Sequence, residues 1–207
     1  MSQPVSGTEG YAEEAGELFT RYENIRSADA HRAVLHLMPS SPRRVLDIGA
    51  GTGRDAAWFA DMGHHVVAVE PTDALRLGAI ARHPSPAIEW LNDSLPDLAL
   101  LRRRNATFDL VMLTAVWMHL DIEQRRRAMP NLASRVADDG MVIMTLRHGP
   151  VPPGRRMFEV SPDETTELVR PYGLQLMLNV HSESIQAANR PAGVSWSTIA
   201  LVKANST

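Results

Sequence analysis

The sequence predicts one α/β domain built around a largely parallel sheet. Three observations carry that prediction. Strand-like apolar runs alternate with helical patterns from Val45 to Gly173. A glycine-rich turn, Asp47-Ile48-Gly49-Ala50-Gly51-Thr52-Gly53, joins the first strand to the helix after it. Two consecutive strand patterns, Leu174 to His181 and Ser195 to Lys203, close the chain with only a short linker between them, which reads as an antiparallel pair.

Composition bounds the rest. A chain of 207 residues, 44% hydrophobic and 22% charged, suits one domain with a substantial core. The net charge of −3 does not advertise nucleic-acid or acidic-membrane binding. No cysteine is present, which excludes disulfides, thiolate zinc sites and thiol nucleophiles. The start, MSQPVSGTEG, lacks the basic segment and apolar run of a signal peptide. No apolar stretch approaches the ~20 residues of a membrane span. A soluble, cytoplasmic protein is expected.

The elements follow in order. Residues 1–10 read as a loose tail. Tyr11, Ala15, Leu18, Phe19, Tyr22 and Ile25 recur at helical spacing. Ser27 is placed to cap a second helix carrying Ala30, Ala33, Val34, Leu37 and Met38. Val45 to Ile48 is a short buried strand, and Arg54 to Met62 a helix stopped by Gly63. His65 to Glu70 is a β-branched strand, and a helix starts at Thr72 or Asp73. Ile88 to Asn92 and Phe108 to Leu113 are strands. Asp121 and Gln124 form a capping box for a helix through Val136, which Pro130 should kink or split. Met141 to Leu146 is the fifth strand. Ser161-Pro162-Asp163-Glu164 caps a helix that Gly173 ends.

The glycine turn lies at the carboxyl end of a parallel strand, where open α/β sheets bind ligands. Glycines let backbone approach a ligand and take positive φ, and the next helix offers unpaired N–H groups. Glu70, at the end of the second strand, is suited to accept from ribose hydroxyls. The spacing is not that of a dinucleotide loop, G-x-G-x-x-G, because the third glycine comes one residue early and Asp47 precedes the first.

VLDIGAGTGRDA, VAVEP, the Asp93-Ser94 pair and FDLVMLTAVWMHL together resemble the class I S-adenosylmethionine-dependent methyltransferases. The resemblance implies a Rossmann-like seven-stranded sheet of order 3-2-1-4-5-7-6 with strand 7 antiparallel. It implies N-terminal cap helices within residues 1–40 and a single methyltransferase domain over 41–207. It implies S-adenosyl-L-methionine as cofactor and S-adenosyl-L-homocysteine as product. On that resemblance Gly49, Ala50 and Gly51 line the cofactor's methionine end, and Asp47 meets its ammonium. Glu70 holds the ribose hydroxyls with Pro71 beside the adenine. Asp93 accepts from the adenine amino group, unless it only shapes its turn, and Ser94 or Leu95 flanks the ring. Thr114 and Ala115 touch the methionine end. Arg54 pairs with the cofactor carboxylate, or Asp55 only assists its helix N-terminus.

The acceptor side is read from what remains near the strand ends. His119 is a candidate general base or a packed residue of a helix start. Trp117 walls the pocket or joins the core. Arg147 and His148 end strand five, and Arg155 and Arg156 follow in a Pro/Gly-rich loop where arginines suit a carboxylate or phosphate. Tyr11, Arg21 and Tyr22 belong to the N-terminal helices, as lid or as packing. After strand four there is no Asn/Asp-Pro-Pro-aromatic tetrad, and there is no inserted domain or basic stripe, so a small-molecule acceptor methylated on O or N is favoured. Methylation of RNA or protein, and a non-catalytic cofactor-binding domain, stay open as alternatives; a nicotinamide dehydrogenase is more distant.

Overall fold

A computed structural model describes residues 5–204. Its strands are β1 (Arg44–Ile48), β2 (His65–Val69), β3 (Ile88–Leu91), β4 (Phe108–Thr114), β5 (Val136–His148), β6 (Leu174–Glu183) and β7 (Ser195–Lys203). They form one sheet in the order β3-β2-β1-β4-β5-β7-β6. The first five run parallel. β7 lies antiparallel between β5 and β6, as expected for the terminal pair. The helices are α1 (Ala15–Glu23), α2 (Ser27–Ala30), α3 (Arg54–Asp61), α4 (Asp73–Arg82), α5 (Ala99–Arg102), α6 (Ile122–Ala133) and α7 (Pro162–Val169).

The near-continuous apolar strands are explained by burial on both faces. Successive residues point to opposite faces of a pleated strand. Accordingly Leu46, Val111 and Leu113 enter one core with Trp117 and Met144. Val45, Leu110 and Met112 enter the other with Phe59 and Ile143. Each such side chain contributes about 1.5–3 kcal/mol on full burial.

The strand order positions the site. From β1 the chain steps outward to β2 and β3, then crosses back to β4. That reversal opens a crevice at the carboxyl ends of β1 and β4. Local signals hold the framework around it. The Asp121 side chain accepts from the Gln124 N–H at 2.8 Å while Gln124 Oε1 accepts from the Asp121 N–H at 3.0 Å. Ser161 Oγ accepts from the Glu164 N–H at 3.1 Å, with Pro162 in the first turn of α7.

Several expectations need correction. α6 ends at Ala133, and Val136 instead opens β5 opposite Phe108. Pro130 does not split α6: the helix runs unbroken from Ile122 to Ala133, and Pro130 forgoes only its own bond to the Arg126 carbonyl. Ser27 is not a cap; it lies inside α2 and its hydroxyl donates to Asp55. The second expected helix continues from α2 only as a 3-10 turn, Arg32–Leu37. The four-residue α5 was not expected, being too short to show a period. Residues 5–10 are not loose: Thr8 N–H and Oγ1 bond to the Val5 carbonyl, and Gly7 is buried against His119. Residues 1–4 of the expected tail and 205–207 of the expected domain lie outside the described residues. Among the described residues no helix is long and apolar enough to cross a membrane.

Candidate active site

The crevice holds a cavity of about 910 Å³, lined by the glycine loop, by the ends of β2, β4 and β5, and by the N-terminal segment. This volume lies toward the upper end of the range for small-molecule sites, about 300–1,000 Å³. Of the residues singled out in the sequence, Tyr22, Asp47, Gly49, Ala50, Gly51, Arg54, Glu70, Pro71, Asp93, Ser94, Leu95, Thr114, Ala115, His119 and Arg147 line it. Trp117 and His148 do not.

The glycine loop is folded by β2. The Gly49 and Ala50 N–H groups donate to the Val69 carbonyl at 2.8 and 3.0 Å. Gly49 has φ of 71°, and a Cβ there would collide with Val116 Cγ2. Gly51 has φ of 57°, and a Cβ there would meet nothing closer than 3.9 Å, so this glycine leaves open space above the loop. The buried Glu70 spans loop and strand: its Oε2 accepts from the Gly51 N–H at 2.9 Å and its Oε1 from the Thr72 N–H at 2.8 Å. Burial raises its pKa, opposed by those two N–H groups. Each oxygen keeps lone pairs for a further donor.

Asp47 is 2% exposed, and its Oδ2 has no hydrogen-bond partner among the described residues. Burial and the neighbouring Asp55 push its carboxyl well above the usual carboxylate range, against the pull of Arg54. Such an orphaned buried acid calls for a donor that no described residue supplies. Its neighbour Asp55 is instead saturated. It accepts from Ser27 Oγ at 2.7 Å, from His31 Nε2 at 2.8 Å, from Arg54 and from Thr114 Oγ1 at 3.3 Å. Burial opposes its charge, but His31, Arg54 and Ser27 hold its carboxyl well below the usual range. Asp55 therefore does more than favour a helix N-terminus: it ties α2 to the glycine loop. It also takes both forks of the Arg54 guanidinium, at 2.9 and 3.0 Å, so Arg54 lines the cavity already paired.

The Asp93 carboxylate is already engaged by backbone. Its Oδ1 accepts from the Ser94 N–H, and its Oδ2 from the Leu100 and Leu101 N–H groups, which caps α5. It still lines the cavity beside Ser94 and Leu95.

His119 is 7% exposed and bonded at both ring nitrogens. Nδ1 lies 2.8 Å from the Arg156 carbonyl, and Nε2 lies 3.0 Å from the Tyr11 hydroxyl. A carbonyl only accepts, so Nδ1 carries the proton, and Nε2 receives the Tyr11 O–H. Burial holds the His119 pKa below its ordinary value, so the ring is neutral at pH 7. Burial likewise raises Tyr11 well above the ordinary phenol range. Tyr11 is held from the other side by Arg155, whose guanidinium lies 4.2 Å over its ring. Arg155 also takes both Glu14 oxygens. The N-terminal segment is thus clasped to the loop after β5, across the mouth of the cavity. Arg156 is committed too, to Asp121 at 2.8 Å and the His119 carbonyl at 3.0 Å.

Trp117 belongs to the core: it is fully buried among the side chains under β4. His148 is turned away from the cavity, bonded to Ser197 Oγ at 2.8 Å and facing the His181 ring at 5.8 Å. Strand alternation explains why adjacent Arg147 and His148 do not act together, since one faces the cavity and the other cannot. Sequence reasoning missed the Asp55 hub, the Tyr11–His119 pairing and the Glu14–Arg155 clasp. Each joins residues far apart in the chain, with no short-range pattern to announce it.

Residues 45–140 match the protein family described as methyltransferase domain. The glycine N-methyltransferase of Oryctolagus cuniculus is 26% identical over 192 residues, covering 80% of this chain and 65% of that protein. An uncharacterized methyltransferase of Mycobacterium tuberculosis is 30% identical over 118 residues, covering 57% of this chain and 45% of that protein. The chain therefore spans less than two thirds of either relative. Among solved structures, the 1,6-didemethyltoxoflavin-N1-methyltransferase of Burkholderia thailandensis superposes with a TM-score of 0.67 at 19% identity, covering 99% of this chain and 94% of that one. The N-methyltransferase NodS of Bradyrhizobium japonicum superposes with a TM-score of 0.68 at 15% identity, covering 89% and 91%. Residues 45–140 thus match a methyltransferase domain, within a sheet whose order is that of the Rossmann-like methyltransferase fold.

Proposed function

We propose that this protein is a cytoplasmic enzyme that transfers a methyl group from S-adenosyl-L-methionine to an N or O atom of a small-molecule acceptor. In this reading residues 1–40 cap the site and 41–207 form the cofactor domain. The observation that carries it is the pair of buried acids beside the glycine loop, Glu70 engaged with Gly51 and Asp47 left with an unpartnered oxygen. The donor set fits the cofactor. Asp47 offers a carboxylate to its ammonium, Glu70 offers free lone pairs to its ribose hydroxyls, and the space above Gly51 admits its chain. Pro71, Ser94 and Leu95 provide the walls for adenine, with Asp93 at its edge. Thr114 and Ala115 border the methionine end.

S-adenosylmethionine supplies, when bound, a methyl on a positive sulfur that leaves by displacement. The protein has to align the acceptor and take its proton. Tyr11 and His119 are arranged for the second task. As the acceptor loses its proton to the Tyr11 oxygen, the Tyr11 proton passes to His119 Nε2. The resulting imidazolium is held by its Nδ1–H bond to the Arg156 carbonyl, and His119 later returns its extra proton to solvent. A small acceptor is supported by the N-terminal segment drawn over the cavity by Tyr11 and by Arg155–Glu14. N-methylation is the better-supported arm, since the relatives named above as glycine, toxoflavin-type and NodS enzymes are N-methyltransferases by name. The test is methyl transfer from labelled S-adenosylmethionine to pooled small metabolites, with RNA and protein as comparison pools. Label confined to the small-molecule pool supports the proposal. Cofactor binding with no transfer to any pool would make the domain non-catalytic.

A further inference from the structure

We infer that the acceptor carries a carboxylate or phosphate and that Arg147 binds it; this rests on the methyl-transfer reading of the same cavity. The charges around the cavity wall are mostly paired. Arg32 is paired with Asp29, Arg54 with Asp55, Arg155 with Glu14, and Arg190 with Glu183. Arg147 has no carboxylate partner among the described residues. Among the described residues its Nη1 donates to the Gly149 carbonyl at 3.3 Å. Yet it is half-buried, and burial works against its charge. A partly desolvated guanidinium without a counter-ion is unfavourable, and an anionic ligand removes that cost.

The position suits recognition. Arg147 lies one residue before the end of β5, beyond the reach of β4 but still paired with β7, which holds its backbone. It stands opposite Trp196 on β7, and both line the cavity. An indole beside a guanidinium fork suits an anion carried on a flat or apolar body. Tyr11, His119 and Arg147 line the same cavity, and the Tyr11 hydroxyl meets His119. Arg21, also without a carboxylate partner among the described residues, is exposed at the rim and lies over the Tyr22 ring. It serves as the control.

The experiment titrates benzoate, phenyl phosphate and the neutral benzamide into the protein loaded with S-adenosylhomocysteine, using wild type, Arg147→Gln, Arg147→Lys and Arg21→Gln. The expected result is that an anionic probe binds wild type at least tenfold better than benzamide. Arg147→Gln then loses about 10- to 150-fold of that affinity, Arg147→Lys keeps part of it, and Arg21→Gln keeps nearly all. Affinity for S-adenosylhomocysteine stays within about twofold in every variant, which shows that the fold and the cofactor half are intact. Equal binding of benzamide and benzoate, unchanged anion binding in Arg147→Gln, or a loss confined to Arg21→Gln would each overturn the inference. Absence of S-adenosylhomocysteine binding in wild type would instead overturn the cofactor reading, and the same anion titrations on the unloaded protein would then decide Arg147 by itself.

Discussion

Glu70→Gln is the sharpest perturbation of the cofactor half. Both Glu70 oxygens accept from backbone, one from Gly51 and one from Thr72. A glutamine must turn its NH₂ toward one of those N–H groups, because it has one oxygen for two donors. One buried charge-assisted bond is lost outright, and the N–H it served is left unsatisfied. That costs about 1–3 kcal/mol of stability, which is about 2–12 °C of Tm for a domain of this size. Binding suffers separately. The ribose hydroxyls lose the carboxylate as acceptor, at about 1.5–3 kcal/mol, or about 10- to 150-fold in Kd. Calorimetric titration with S-adenosylhomocysteine measures the second effect, at a temperature where the variant is still folded by circular dichroism. A Kd within threefold of wild type in a folded Glu70→Gln protein would refute the ribose role.

Three further outcomes are expected. Gly49→Ala destabilises the protein by about 2–5 kcal/mol in urea denaturation, combining the cost of positive φ with overpacking against Val116; adding Val116→Ala restores part of the loss, whereas no rescue would argue against that contact. Asp47 holds its proton more tightly folded than unfolded, so the free protein's stability falls as pH rises above about 4; Asp47→Asn flattens this slope in thermal unfolding, and in wild type S-adenosylmethionine affinity rises with pH over the same window. Methyl transfer needs neutral His119, whose pKa lies below its usual value, so kcat holds at neutral pH and declines only as pH falls below about 6.5; Tyr11→Phe lowers kcat on the order of 10²–10⁴-fold with little change in cofactor Kd, and an unchanged rate would remove Tyr11 from the relay.

The fold was legible because its signals are local. Apolar runs, Gly63, the Asp121–Gln124 box and the Ser161–Pro162 cap each lie within a few residues, and the structure places them as read. The glycine loop and the acids beside it were legible as one cluster for the same reason, and they line one cavity. Where two local rules competed, the sequence alone misled. Ser27 has the chemistry of a cap but spends its hydroxyl on Asp55, because a buried acid outweighs a helix end. Arg147 and His148 are neighbours in sequence yet part company on a pleated strand. Asp93 could be given a ligand or a turn, and its carboxylate instead reaches the Leu100 and Leu101 N–H groups at the start of α5. The acceptor side was hardest to read, since Tyr11 and His119 meet across 108 residues and the Glu14–Arg155 clasp across 141. Only tertiary closure of the N-terminal segment brings them together.

The most direct measurement is a crystal structure with S-adenosylhomocysteine bound. The ribose hydroxyls are predicted to lie within hydrogen-bond distance of Glu70, the ammonium beside Asp47, and the sulfur facing the Tyr11–His119 side of the cavity. A cofactor bound away from the Gly49–Gly53 loop, or with its sulfur turned from Tyr11 and His119, would contradict the assignment of this cavity to methyl transfer.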